Sequence, residues 1–146
     1  MERKIEFRGK IIDSDQWAFG DLHRNSYGRI SILDPSKYDC NTIKSDFEVE
    51  EKSIGQFVRE INGNKYFEGD IALMDYKKSH LKVVLTWIAE KAAFMWLETH
   101  EYILYKYLEG KLKIKNTTLA FPFDEDTSSD FEIIGNTWDY PALLAE

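Results

Sequence analysis

Cysteine is almost absent from this sequence. Cys40 is the only one in 146 residues, so no intramolecular disulfide can form and nothing indicates an oxidising compartment. Its polar segment holds no histidine to activate the thiol, which reads as incidental. Long apolar runs are missing too. None approaches the ~20 residues of a membrane-spanning helix. The N-terminal MERKIEFRGKIID has neither the apolar stretch of a signal peptide nor a transit pattern. Cationic charge is in deficit, with 19 Lys and Arg against 26 Asp and Glu and a net charge of −7. Non-specific binding to nucleic acid or to an anionic membrane needs clustered cations that displace counterions, and here they are scattered. The expectation is a cytoplasmic protein with no membrane partner.

Motifs for chemistry are also lacking. His23, His80 and His100 lie in separate segments, with no His-x-x-x-His and no cysteine pair to hold zinc. Thr99-His100-Glu101 lacks the second histidine of a helical zinc-protease motif. There is no G-x-S-x-G elbow, and the glycines never take a phosphate-loop spacing. No metal and no cofactor is expected.

What remains is a β-rich pattern. At 43% apolar and 31% charged residues the chain is ordinary for a globular protein, and its length suits a single domain, residues 1–146, with a real core. Ile5, Phe7 and Ile11 alternate, then Trp17 and Phe19, around the turn formers Asp13-Ser14-Asp15-Gln16, which predicts a hairpin. Ile30 and Ile32 predict a third strand ending at Asp34-Pro35, and residues 35–46 read as a loop. Asn62-Gly63 separates two strand-forming runs, the strongest short hairpin signal, because both central residues of a type I′ turn need positive φ. Leu81–Thr99 is open on pattern alone. Leu81, Val84, Leu85, Ile88, Ala92 and Met95 fit a helical stripe, whereas VVLTWI and FMWL are β-branched and aromatic runs. Residues 101–108 lean to helix. Leu112, Ile114 and Leu119 suggest a strand reaching 121–123, and residues 131–136 another. Asp139 before Pro141 suggests the cap of a short C-terminal helix, with proline at its second position.

Two carboxylate groupings deserve weighing. Glu68 and Asp70 would share one face of a straight strand, but Gly69 between them favours a corner over an acidic site. Asp124, Glu125, Asp126 and Asp130 lack the central glycine and terminal glutamate of an EF-hand and read as a solvated loop. Aromatic residues, 14% of the chain, predict a core or a protein interface filled with large rings; Tyr76-Lys77-Lys78 and Tyr105-Lys106-Tyr107 come nearest to the basic–aromatic mix that stacks on nucleic acid.

Four stretches taken in order carry a family resemblance. IEFRGKIIDSDQWAFGDL has an arginine after the aromatic, then tryptophan and Gly-Asp. Ser53-Ile54-Gly55-Gln56-Phe57 precedes NGNKYFEGDI, then come KVVLTWIAEKAAFMWLE and FEIIGNTWDYPALL. Together they resemble the YopX family of small proteins encoded by bacteriophages and prophages. Residues 34–48 and 99–130 do not match, and Ala142 stands where an acidic residue is more usual. The resemblance implies a phage or prophage origin and a mainly β, barrel-like fold with short helices, and it favours two strands over 81–99. It supplies no catalytic residues. Gly55, Gln56, Asn62, Gly63, Glu68, Gly69, Asp70, Gly135 and Asn136 carry the motifs and read as fold determinants.

The expected fold is therefore mainly β (α+β by content), with antiparallel hairpins in a barrel-like or sandwich domain and a short C-terminal helix. The expected role is a non-enzymatic protein-interaction or accessory module that forms a homo-oligomer and has a host or phage protein as partner. One alternative is a nucleic-acid-associated phage accessory protein. Another is a metal protein or enzyme using Glu68, Asp70 or the acids of 124–130.

Overall fold

Alternating side chains give a strand one apolar face, and this chain buries those faces by folding back on itself in hairpins. A computed structural model describes residues 5–34, 46–111, 113–115, 118–124 and 131–145. The protein is mostly β, in two antiparallel sheets, with one α-helix among the described residues. It falls into two compact units, Met1–Phe57 and Val58–Glu146.

In the first unit, β1 (Phe7–Lys10) pairs with β2 (Trp17–Arg24), β2 with β3 (Ile30–Leu33), and β3 with β4 (Asp46–Glu48). The predicted hairpin is present, and its register sets Phe7 opposite Gly20, Gly9 opposite Ala18 and Lys10 opposite Trp17, so Ala18, not Trp17 or Phe19, shares the core face with Phe7. Ala18, Ile30, Ile32 and Val49 form the core, with Phe7, Ile11, Phe47 and Ile54 packed on it. Gly9 lies so close to this core that a Cβ there would meet Val49 at 2.9 Å. Where β3 ends, the Asp34 carboxylate is buried and accepts the Phe19 backbone N–H at 2.9 Å. Of the predicted loop, Asp46 belongs to β4, and residues 35–45, including Cys40, lie outside the described residues. β5 (Gly55–Ile61) opens by pairing Gly55 with Arg8 and Gln56 with Phe7.

In the second unit, Val58–Ile61 leads through Asn62-Gly63 into β6 (Asn64–Phe67). The turn has φ 53° at Asn62 and 83° at Gly63, the double positive φ the dipeptide predicts. The unit's five-stranded sheet contains β7 (Asp70–Tyr76), β8 (Ser79–Ile88), β9 (Ala93–Glu98), β10 (Ala120–Pro122) and β11 (Glu132–Asn136), in the order β10-β9-β8-β7-β11. Helix α1 spans Thr99–Tyr107.

Residues 81–88 and 93–98 are strands, joined by the 3-10 turn Ala89–Lys91 and by Ala92, because the sheet is covered on both faces. Val83 and Leu85 join Ile61, Tyr66, Ala72 and Trp96 on one side, while Ile88 joins Met95, Leu97 and Tyr105 of α1 on the other. A strand buried on both faces reads as a continuous apolar run, and part of such a run also satisfies a helical stripe. The aromatic core expected from composition centres on Trp96, with Tyr66, Phe123 and Phe131 ring centroids 5.3–6.2 Å away.

Two expectations are corrected. The strand suggested from Leu112 onward is only Ala120–Pro122; Leu112 is outside the described residues, and Lys113–Lys115 is not strand. The C-terminal helix is a 3-10 turn, Pro141–Leu144, preceded by Tyr140 rather than capped by Asp139. Pro141 thus takes the first position, where its missing N–H is no loss. Among the described residues no helix is long and apolar enough to cross a membrane.

Candidate functional site

The KYFEGDIAL stretch turns between β6 and β7. Gly69 has φ 94°, a conformation that costs an L-residue with a Cβ about 1–2 kcal/mol. Asp70, the first residue of β7, is 4% exposed, and its Oδ2 accepts the Phe67 backbone N–H at 2.8 Å. That carboxylate faces the corner's own backbone and stabilises it, as aspartate does in turns. Glu68 is half-buried, and its Oε2 accepts the Trp87 backbone N–H at 3.4 Å. The corner's backbone is bonded on both sides: the Gly69 N–H donates to the Leu85 carbonyl (2.8 Å), and the Gly69 carbonyl accepts from Thr137 (3.0 Å).

The Thr137 contact joins two motifs far apart in sequence. In the β7–β11 pairing Asn136 lies opposite Asp70 and Gly135 opposite Ile71, with a register shift between Ile133 and Gly135. Beyond the strand, Asn136 Oδ1 accepts the N–H groups of Trp138 (3.0 Å) and Asp139 (2.8 Å), while its Nδ2 donates to Asp139 (3.2 Å). Tyr140 folds back over Gly135 so closely that a Cβ there would sit 2.6 Å from its ring. Tyr102 of α1 completes the group. Burial pushes its phenol above the usual 10.0; a hydrogen bond with Thr137 works the other way, and the nearby Glu68 charge adds to the rise. Tyr66, inside the corner, is likewise raised by burial and then by the charge of Asp70.

Of the motif residues, Glu68, Gly69, Asp70, Gly135 and Asn136 meet here. Asn62 and Gly63 form the adjacent hairpin turn, while Gly55 and Gln56 belong to the β1–β5 pairing of the first unit. The chemistry of the corner is that of acceptors answering backbone donors. His80 and His100 are exposed and sit beside carboxylates, Asp75 at 2.7 Å and Glu98 at 2.6 Å, and His23 is also exposed. Among the described residues no three His, Cys, Asp or Glu side chains gather to hold a metal. Asp124 is described, and residues 125–130 of the predicted acidic loop are not.

Three features escape sequence inspection. Glu98 caps α1, accepting from the backbone of His100 (2.9 Å) and Glu101 (3.4 Å). α1 turns Ile103, Leu104, Tyr107 and then Leu108 outward. Lys77 and Lys78 form the two-residue β7–β8 turn, whose only sequence signal is its length between Tyr76 and Ser79. The chain matches no family model, no curated protein and no solved structure.

Proposed function

We propose that this chain is a non-enzymatic protein-interaction module of phage or prophage origin, acting in the bacterial cytosol and self-associating. The observation that carries the reading is the outward face of α1. Ile103, Leu104, Tyr107 and Leu108 are 44, 42, 81 and 37% exposed, while Tyr105 on the opposite side is 7% exposed. Ile103, Leu104 and Tyr107, spaced i, i+1 and i+4, share one face of the helix, and Leu108 follows at its C-terminal end. A contiguous apolar face of this kind on a charged surface fits a protein contact. The phage origin rests on the ordered resemblance of the four sequence stretches.

Light scattering across a range of protein concentrations tests the reading. The wild type is expected to gain mass with concentration, and the pair Leu104→Glu with Tyr107→Lys to stay monomeric with an unchanged thermal midpoint. A wild type that is monomeric throughout removes self-association.

One observation favours a second reading, an accessory protein that contacts nucleic acid. The Arg8 guanidinium and Lys10 ammonium lie 5.1 and 5.2 Å from the centre of the Trp17 ring, which puts cations beside an aromatic on adjacent strands. This reading predicts a gel shift with RNA or DNA that weakens as salt rises. No shift at low salt disposes of it.

A further inference from the structure

A two-residue hairpin turn of type I′ asks both central residues for positive φ, and Asn-Gly answers with least strain. This chain does so at Asn62-Gly63. At the β7–β8 turn it places two lysines instead, Lys77 at φ 47° and Lys78 at φ 67°. Neither has the short polar side chain or the missing Cβ that makes this region accessible. Backbone strain retained at an exposed turn points away from folding as the reason for the residues.

The two ammonium groups are exposed, and among the described residues no carboxylate pairs with either. Lys77 Nζ lies 5.2 Å from the centre of the Tyr76 ring, which itself packs edge-on against Phe121. The charged neighbours on the hairpin are engaged. His80 sits against Asp75, and Lys82 Nζ donates to the Leu143 carbonyl at 2.7 Å.

We propose that the Lys77-Lys78 turn is a docking point for an acidic segment of a protein partner. Useful affinity for nucleic acid comes from many phosphate contacts, and two lysines with a neighbouring ring already packed on Phe121 do not supply them. A protein partner needs only a few charges for orientation and fast encounter, its affinity coming from apolar contact elsewhere. The inference therefore rests on the protein-interaction reading.

The test is an amide-shift titration of the full chain with a hexaglutamate peptide, alongside one with oligothymidylate. The peptide is expected to shift residues 76–80, more weakly as salt rises from about 50 to about 200 mM. Lys77→Asn with Lys78→Gly should abolish those shifts while raising the thermal midpoint by about 2–4 °C. Lys77→Arg with Lys78→Arg should keep them. The proposal is overturned if the peptide leaves the turn unmoved, if the Asn-Gly variant still binds or is no more stable, or if the oligonucleotide saturates the turn at lower concentration than the peptide. Loss of this effect with self-association through α1 intact removes the docking point alone; loss of self-association with the tip shifts intact removes the α1 reading alone.

Discussion

The corner at Glu68-Gly69-Asp70 and the turn at Lys77-Lys78 are the two ends of the same strand, β7, and they use side chains in opposite ways. At the corner, glycine takes the positive φ, and a buried aspartate accepts the backbone N–H of Phe67. At the turn, two lysines hold positive φ against their preference and send their charges into solvent. Polar chemistry at the first end stabilises the fold. At the second it is left over, and left-over chemistry is where a function is sought.

The comparison can be broken at either end. Asp70→Ala should have the largest effect, a loss of about 2–3 kcal/mol by urea unfolding, because it leaves the Phe67 amide buried without its acceptor. Gly69→Ala should cost about 1–2 kcal/mol by the same measurement, and a neutral result would show that the corner does not depend on its glycine. Lys77→Asn with Lys78→Gly should act in the opposite direction, gaining about 1 kcal/mol. The corner also sets an alkaline limit. Tyr66 is raised above 10.0 in the folded chain, so the folded state holds its proton after the unfolded state has released it, and stability falls as pH rises above about 10. Tyr66→Phe should flatten that decline in melts taken across alkaline pH, and an unchanged slope would assign the titration elsewhere. The smallest effect belongs to Glu68→Gln, about 0.5 kcal/mol or less, since a 3.4 Å contact at a half-buried carboxylate contributes little.

Local chemistry explains what the sequence made visible. Asn62-Gly63 and Gly69 act within a few residues of themselves, so the hairpin and the corner are legible without any knowledge of the rest. Alternation makes the strands from Phe7 to Leu33 visible in the same way but not their facing, since Trp17 and Phe19 lie opposite Lys10 and Arg8 and the core takes Ala18. What was hidden depends on distant partners. The run from Leu81 to Met95 satisfies two periods at once, and only α1 on one face and Ile61 with Tyr66 on the other make its two ends, up to Ile88 and from Ala93, strand. Lys77-Lys78 contradicts local preference, so the pairing of β7 with β8 imposes the turn. The meeting of Asp70 with Asn136 needs the β7–β11 pairing, and the outward face of α1 becomes visible only once Tyr105 is known to be buried. Asp139 misled because Asn136 holds it: the side chain that could have capped a helix is bound to the turn before it.

Urea midpoints of Asp70→Ala and of Lys77→Asn with Lys78→Gly, measured together against the wild type, test the contrast between the two ends of β7 most directly. The account predicts shifts of opposite sign, down at the corner and up at the turn, with similar denaturant slopes. Shifts of the same sign would contradict it, because the lysines would then belong to the fold as fully as the aspartate does.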